Sequence, residues 1–292
     1  MHADEVHVDQ RLVRRLLAAQ FPQFAGLPLT IVEPWGTDNG IWRLGDDLVI
    51  RLPRIHWAAA QVEHEAAWLP RLAPHLPVAI PEPVAIGEAT SDYPYRWAVH
   101  RWLPGTPAVL DRLDPIRFAH DLAAFIRSLQ GVDARDAPPA RGRARPLHEY
   151  DTSTRHAMKG AHRLIDADVA VQVWEDALRA EPHPGPPVWV HGDLEGNCLV
   201  DCGRLSGVID WGSSCAGDPA VDIQVVWSPL FTERSLRACI EALGVDDATL
   251  ARSRGASINQ ACAALPYYLN THSEIVARSR HKLQALGVPL RD

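Results

Sequence analysis

Between residues 188 and 212 the chain alternates short apolar runs with polar loops, and that order leaves few structural options. Val188-Trp-Val190 and Cys198-Leu-Val200 have strand composition and bracket the loop His191-Gly-Asp-Leu-Glu-Gly-Asn197; a further apolar run, Leu205-Ser-Gly-Val-Ile209, ends in Asp210. Phosphoryl transfer from a nucleotide asks for three groups at such loop ends. One carboxylate orients the attacking hydroxyl and accepts its proton, an amide or carboxylate oxygen holds Mg2+, and a second carboxylate bridges the metal to the β/γ-phosphates. Asp193, Asn197 and Asp210 supply these types in chain order.

The flanking pattern divides the chain. Residues 9–21 place apolar groups at helical spacing behind Asp9, and Leu29–Trp35 reads as a strand followed by the turn Gly36-Thr-Asp-Asn-Gly40. Ile41–Leu44 and Leu48–Leu52 flank Gly45-Asp-Asp47, a hairpin signal, and a helix is expected over 57–72 with strands over 83–88 and 95–103. Pro104-Gly-Thr-Pro107 is the clearest linker signal. Beyond it, helices are expected at 113–130, 153–180, 218–229, 232–243, 247–269 and 273–285, interrupted by the short strands near 188–209. Residues 132–147, rich in Arg, Pro, Ala and Asp without period, read as a mobile surface loop. The expected class is α+β: a small antiparallel strand-rich domain over 1–103 and a larger helical domain over 104–292.

Composition narrows the function classes. A net charge of −7 argues against a general nucleic-acid binder. No apolar run approaches the length of a membrane span, and the acids of Met1-His-Ala-Asp-Glu5 do not suit a secretory leader. The five cysteines all lie beyond residue 197, an odd number with no framework spacing, so they are expected as buried small hydrophobes in a cytoplasmic protein. The basic residues comprise 27 arginines and only two lysines, Lys159 and Lys282. GC-rich coding bias accounts for that ratio, and it leaves the first half of the chain without a lysine.

His191-Gly-Asp-Leu together with Ile209-Asp-Trp-Gly, followed by Gly217-Asp-Pro-Ala-Val-Asp222, resembles the aminoglycoside phosphotransferase family of small-molecule kinases. The resemblance implies a bilobal protein-kinase-like fold, ATP or GTP as donor and Mg2+ as cofactor. It makes Asp193 the catalytic base and Asn197 and Asp210 the metal ligands. Two departures stand out. Asn197 follows Asp193 by four residues where the family usually has five, and Cys198 occupies the fifth place; the hard Mg2+ ion favours the amide oxygen over sulfur. In Leu48-Val-Ile-Arg-Leu-Pro-Arg54, Arg51 stands where kinases carry the phosphate-binding lysine, and a guanidinium suits phosphate oxygens. Glu65 matches the family's partner carboxylate best, with Glu63 as the alternative. Asp38 and Asn39 fall in the turn that would cover the phosphates, and Arg101 to Leu103 would offer backbone groups to the nucleotide base. His191 is expected to orient the loop, and Asp218 and Asp222 to cap a helix or tie the metal loop.

The acceptor is expected to be a small hydroxylated molecule, with an antibiotic as the leading class. Residues 231–292 hold eight bases against six acids and include Phe231, Tyr267, Tyr268, Asn270 and His272. That mix leaves room for a macrolide, nucleoside or peptide antibiotic, or a hydroxylated metabolite, beside a polycationic aminoglycoside. A catalytically silent nucleotide-binding protein on the same fold is the alternative. Nucleotide and acceptor are the expected partners, with no nucleic acid or membrane, on a monomer or homodimer.

Overall fold

The computed structural model describes residues 5–33 and 38–291. Its contacts separate into two compact units. The first holds the described residues up to Pro74, Ala79–Pro104 and Gly207–Gly212; the second holds His75–Val78, Gly105–Ser206 and the described residues from Ser213 on. Residues 207–212, and Asp210 with them, thus group with the strand-rich part of the chain.

In the first unit, α1 (Gln10–Gln20) starts where the Asp9 carboxylate accepts the Leu12 N–H at 2.7 Å, and its Leu12, Val13, Leu16 and Leu17 face is buried. Strands β1 (Leu29–Ile31), β2 (Asn39–Leu44), β3 (Leu48–Pro53), β4 (Pro83–Gly87) and β5 (Trp97–Arg101) form an antiparallel sheet in the order β1-β2-β3-β5-β4. The helix α2 (His56–Leu72) joins β3 to β4. Gly45 turns the β2–β3 hairpin at φ 60°, a conformation glycine enters without a Cβ penalty. Leu44, Leu48, Ile50 and Leu52 pack with Val99 and the buried face of α1 into one core.

Beyond Pro104, β6 (Thr106–Pro107) pairs with β8 (Cys198–Asp201), which pairs in turn with β9 (Arg204–Val208). β7 (Val188–Val190) pairs with β10 (Cys215–Gly217). The helices are α3 (Pro115–Gln130), α4 (Asp151–Gly160), α5 (Ala167–Arg179), α6 (Ala220–Ile223), α7 (Glu233–Leu243), α8 (Asp247–Tyr268) and α9 (Ser273–Ala285). α3 packs on α7, and α8 runs through the second unit against α4, α5, α6 and α9. No helix of the described residues is long and apolar enough to cross a membrane.

Three sequence expectations are corrected here. The single helix over 153–180 is two: α4 ends at Gly160, and Asp166 starts α5 by accepting the Asp168 and Val169 N–H groups. The helix over 218–229 shrinks to four residues of α6 and a 3-10 turn over Gln224–Trp227, because Pro229 holds Ser228 in extended conformation. The segment 132–147 is tied into the fold: Ala144 and Leu147 are buried, Ala144 O accepts the Asp218 N–H at 3.1 Å, and Pro138 O accepts that of Ala216 at 2.8 Å.

Candidate active site

The first unit's charged cluster follows from strand geometry. Alternate side chains of β3 leave the sheet on opposite faces. Leu48, Ile50 and Leu52 enter the core, so Arg51 emerges on the other face, level with Ala98 on β5. There α2 presents Glu65, which is 2% exposed. Arg51 Nη1 donates to the two Glu65 oxygens at 2.6 and 2.7 Å, and Nη2 donates to Asp210 Oδ1 at 2.9 Å. The Trp211 backbone N–H adds a bond to Glu65 Oε1 at 3.1 Å. One guanidinium therefore ties strand, helix and the 207–212 segment together. Burial opposes its charge, but Glu65 and then Asp210 reverse that and hold Arg51 protonated above its ordinary range. Burial likewise pushes the Glu65 carboxyl up, against the pull of Arg51 and the Trp211 N–H. Glu63 lies elsewhere, exposed and paired with Arg96.

Asp210 adopts φ 62°, a left-handed conformation uncommon for a non-glycine residue and maintained where neighbours over-determine the backbone. Here the Arg51 bond on its side chain and the Trp211–Glu65 bond on the next peptide do so. Its side chain is 45% exposed, and among the described residues no group donates to Oδ2. His100 on β5 is fully buried, with Nε2 4.0 Å from Glu65 Oε2. Burial and then the Arg51 charge lower its pKa to about 3, so the imidazole is neutral.

The other residues expected near the nucleotide are distributed less simply. Asp38 accepts Trp57 Nε1–H at 3.3 Å, and its carbonyl accepts the Arg54 N–H at 2.8 Å. Asn39 opens β2 opposite Pro53, buried, with Nδ2 3.5 Å from Gln61 Oε1. Its pairing places it in the sheet, where it had been expected in a covering turn; Gly36 and Thr37 of that turn lie outside the described residues. Arg101 gives its N–H to Glu82 O at 2.9 Å and Trp102 gives its own to Asp47 O at 2.8 Å. The Arg101 backbone donor is thereby spent within the sheet. Among the described residues nothing accepts the Leu103 N–H, which remains the open backbone donor there.

In the second unit the Asp193 loop joins β7 to β8, and β10 pairs with β7 beside it. Asp222 of α6 is buried and accepts the backbone N–H groups of His191 and Gly192, both at 2.8 Å. Burial pushes its carboxyl up while His191 and those donors pull the other way. The carboxylate thus ties the start of the Asp193 loop, where the sequence had left it a choice between a cap and the metal loop. His191 is fully buried, and its Nδ1 accepts the Asp193 N–H at 3.2 Å, the orienting role expected of it. Asn197 Nδ2 donates to the Asp193 carbonyl at 2.7 Å, so its Oδ1 is the uncommitted end of the amide. Cys198 is buried with Sγ on Leu194 O, and burial pushes its thiol up to about 12, which removes it as a thiolate ligand.

Asp193 itself is one-third exposed at the side chain. Its Oδ1 accepts Arg143 Nη1 at 2.6 Å and Gln260 Nε2 at 3.2 Å; among the described residues nothing donates to Oδ2. Burial raises the carboxyl pKa, but Arg143, His191 and Lys282 outweigh it and hold Asp193 below its ordinary value. Arg143, Gln260 and Lys282 were not legible from sequence. Arg143 lies in the aperiodic 132–147 segment, and Gln260 and Lys282 are single polar residues within long helices, so no motif marks them.

The donors present suit Mg2+. Asp210 in the first unit and Asn197 in the second each keep an oxygen to which no described residue donates, the hard donor type that this ion takes. Among the described residues no three His, Cys, Asp or Glu side chains gather as a metal cage. Mg2+ in phosphoryl transfer needs none, since phosphates and water complete its shell.

The profile of the phosphotransferase enzyme family matches residues 32–256, most of the chain. The chain belongs to this family. The expected class, a small-molecule kinase, stands with it. No curated protein sequence matches this phosphotransferase. Among solved structures it resembles the GDP complex of wild-type aminoglycoside 2'-phosphotransferase-IIIa, with 18% identity, a TM-score of 0.75, and 96% of this chain and 99% of that one covered. It also resembles macrolide 2'-phosphotransferase MphH from Brachybacterium faecium, with 24% identity, a TM-score of 0.64 and 96% and 97% covered. A third is macrolide 2'-phosphotransferase type I, at 23% identity, a TM-score of 0.67 and 96% and 98% covered. At these identities the likeness shows the fold: an antiparallel sheet with helices, α+β as expected.

Proposed function

We propose that this phosphotransferase moves the γ-phosphoryl group of ATP or GTP to a hydroxyl of a small-molecule antibiotic, with Mg2+ as cofactor. The observation that carries the reading is Asp193, an ionised carboxylate with one oxygen restrained and the other open. Oδ2 accepts a hydrogen bond from the acceptor hydroxyl, orients its oxygen toward phosphorus and takes its proton as the new O–P bond forms. The bond from the γ-phosphorus to the bridging oxygen breaks, and the nucleoside diphosphate leaves with that electron pair. Arg51, fixed by Glu65, binds the donor's phosphates as the lysine of other kinases does, and the Leu103 N–H meets the base. Asp210 and Asn197 would hold Mg2+, which when bound neutralises charge on the phosphate oxygens. GDP, ADP and ATP complexes of the structural relatives support a nucleotide donor.

The acceptor class follows from charge. Arg143 bonds Asp193, Lys282 lies within its field, and Arg278 packs against Gly196 in the same loop. Asp193 is paired with Arg143 and Glu195 with Lys282, so the loop offers a polycationic aminoglycoside no surplus of carboxylates, and a macrolide, with far less positive charge, needs none. The test incubates the protein with Mg2+, ATP or GTP, and erythromycin, kanamycin or gentamicin, and reads phosphorylated product by mass spectrometry. Erythromycin is expected to gain one phosphoryl group in preference to the aminoglycosides. Transfer to none of them or to any of a broad set of hydroxyl compounds, with Mg2+-dependent thermal stabilisation by nucleotide, would instead identify a silent nucleotide-binding protein.

A further inference from the structure

Lys282 is one of two lysines in a chain of 27 arginines, and it is almost wholly buried, at 2% exposure. From α9 its ammonium contacts Glu195 of the Asp193 loop and Oε1 of Gln260 on α8. An ammonium only donates, so it fixes which end of the Gln260 amide faces it. The oxygen turns to Lys282, and the nitrogen is left pointing at Asp193 Oδ1, 3.2 Å away. The same ammonium pins Glu195, two residues after Asp193, through a side chain that is 9% exposed and whose Oε1 has no hydrogen-bond partner among the described residues.

We propose that Lys282 and Gln260 are positioning residues for phosphoryl transfer: Lys282 sets the Gln260 amide, Gln260 restrains Asp193 Oδ1, and Oδ2 is thereby the oxygen that meets the acceptor hydroxyl. The inference rests on the function proposed above. Two features of the chain fit it. Arg143 reaches the same Oδ1 with a side chain that is 41% exposed, so it alone fixes the carboxylate poorly. A compact ammonium on a flexible stem fits an enclosed site between Glu195 and Gln260, where a planar guanidinium needs more room.

The variants Gln260→Leu, Lys282→Met and the double variant Lys282→Met with Glu195→Gln test it. With GTP or ATP and erythromycin or kanamycin, Gln260→Leu is expected to lower kcat by about 10- to 100-fold while KM for the nucleotide stays within about twofold. Lys282→Met alone leaves Glu195 buried and unpaired, so it lowers both Tm and kcat. The double variant separates the roles: Tm recovers and kcat stays low if Lys282 positions the amide. Recovery of both to wild-type values would make the lysine merely structural and overturn the proposal. A crystal structure of Gln260→Leu decides independently of any acceptor. Asp193 rotated or in two conformers is the expected result, and an unmoved carboxylate overturns the inference. A wild-type protein that phosphorylates nothing would refute the proposed function and leave this structural result standing on its own.

Discussion

In the first unit a guanidinium is held between two carboxylates; in the second a carboxylate is held among cations and an amide. The Arg51 cluster comes from a strand, the helix that follows it and one short segment distant in sequence, and both sides of the guanidinium are occupied. The Asp193 cluster draws on an aperiodic segment and two late helices, and one carboxylate oxygen stays open. The contrast assigns different tasks to similar chemistry. Under the function proposed above, the closed cluster would anchor a cation for the donor's phosphates, and the open one would leave an acceptor atom for the hydroxyl.

The largest expected effect breaks the open cluster. Asp193→Asn should lower kcat about a thousandfold, with nucleotide Kd changed less than about threefold. Rates comparable to wild type would show that Asp193 is not the base. Arg51→Met should do the reverse, losing nucleotide affinity and about 3–5 kcal/mol of stability in urea unfolding, because Glu65 is left buried without its partner. An unchanged unfolding midpoint would mean the closed cluster is not holding its part of the fold.

His100 sharpens the comparison through pH. In the unfolded chain histidine takes up a proton below about 6.5, whereas buried His100 does so only near 3. Protons therefore favour the unfolded chain between those values, and this contribution to stability falls as pH drops from about 6.5 toward about 3. His100→Phe should flatten that part of the stability–pH curve by a few kcal/mol, read from urea midpoints at several pH values. An identical slope in the variant would remove His100 from the account. The smallest effect is at Glu63: Glu63→Gln should leave stability and nucleotide Kd unchanged, since its ion pair with Arg96 is exposed. A loss matching that of Glu65→Gln would erase the distinction between the two glutamates.

The family resemblance made Arg51 and Glu65 of the first cluster legible, and strand alternation and helix packing show why they meet. Arg51 on β3 and Glu65 on α2 are 14 residues apart, and a hairpin followed by a helix constrains which faces they share. The sequence pattern reached Asp193, Asn197 and Asp210, because loops between short apolar runs concentrate their polar residues in one place. It misplaced Asn39, since the turn residues before β2 carry no marker for where pairing with Pro53 begins. It read 132–147 as a surface loop because Arg, Pro and Ala without period carry no burial signal, although Arg143 bonds Asp193 and Ala144 is buried.

The sequence by itself determined the order of Asp193, Asn197 and Asp210 between short apolar runs, an arginine where other kinases have a lysine, and an α+β class. Tertiary structure alone decided which oxygen of Asp193 is restrained, that Asp222 ties its loop, and that a buried lysine faces it through Gln260. These contacts join residues 30 to 87 positions apart along the chain. Local spacing carries no information at that separation, and only the packing of α6, α8 and α9 around the loop brings such groups within hydrogen-bond distance.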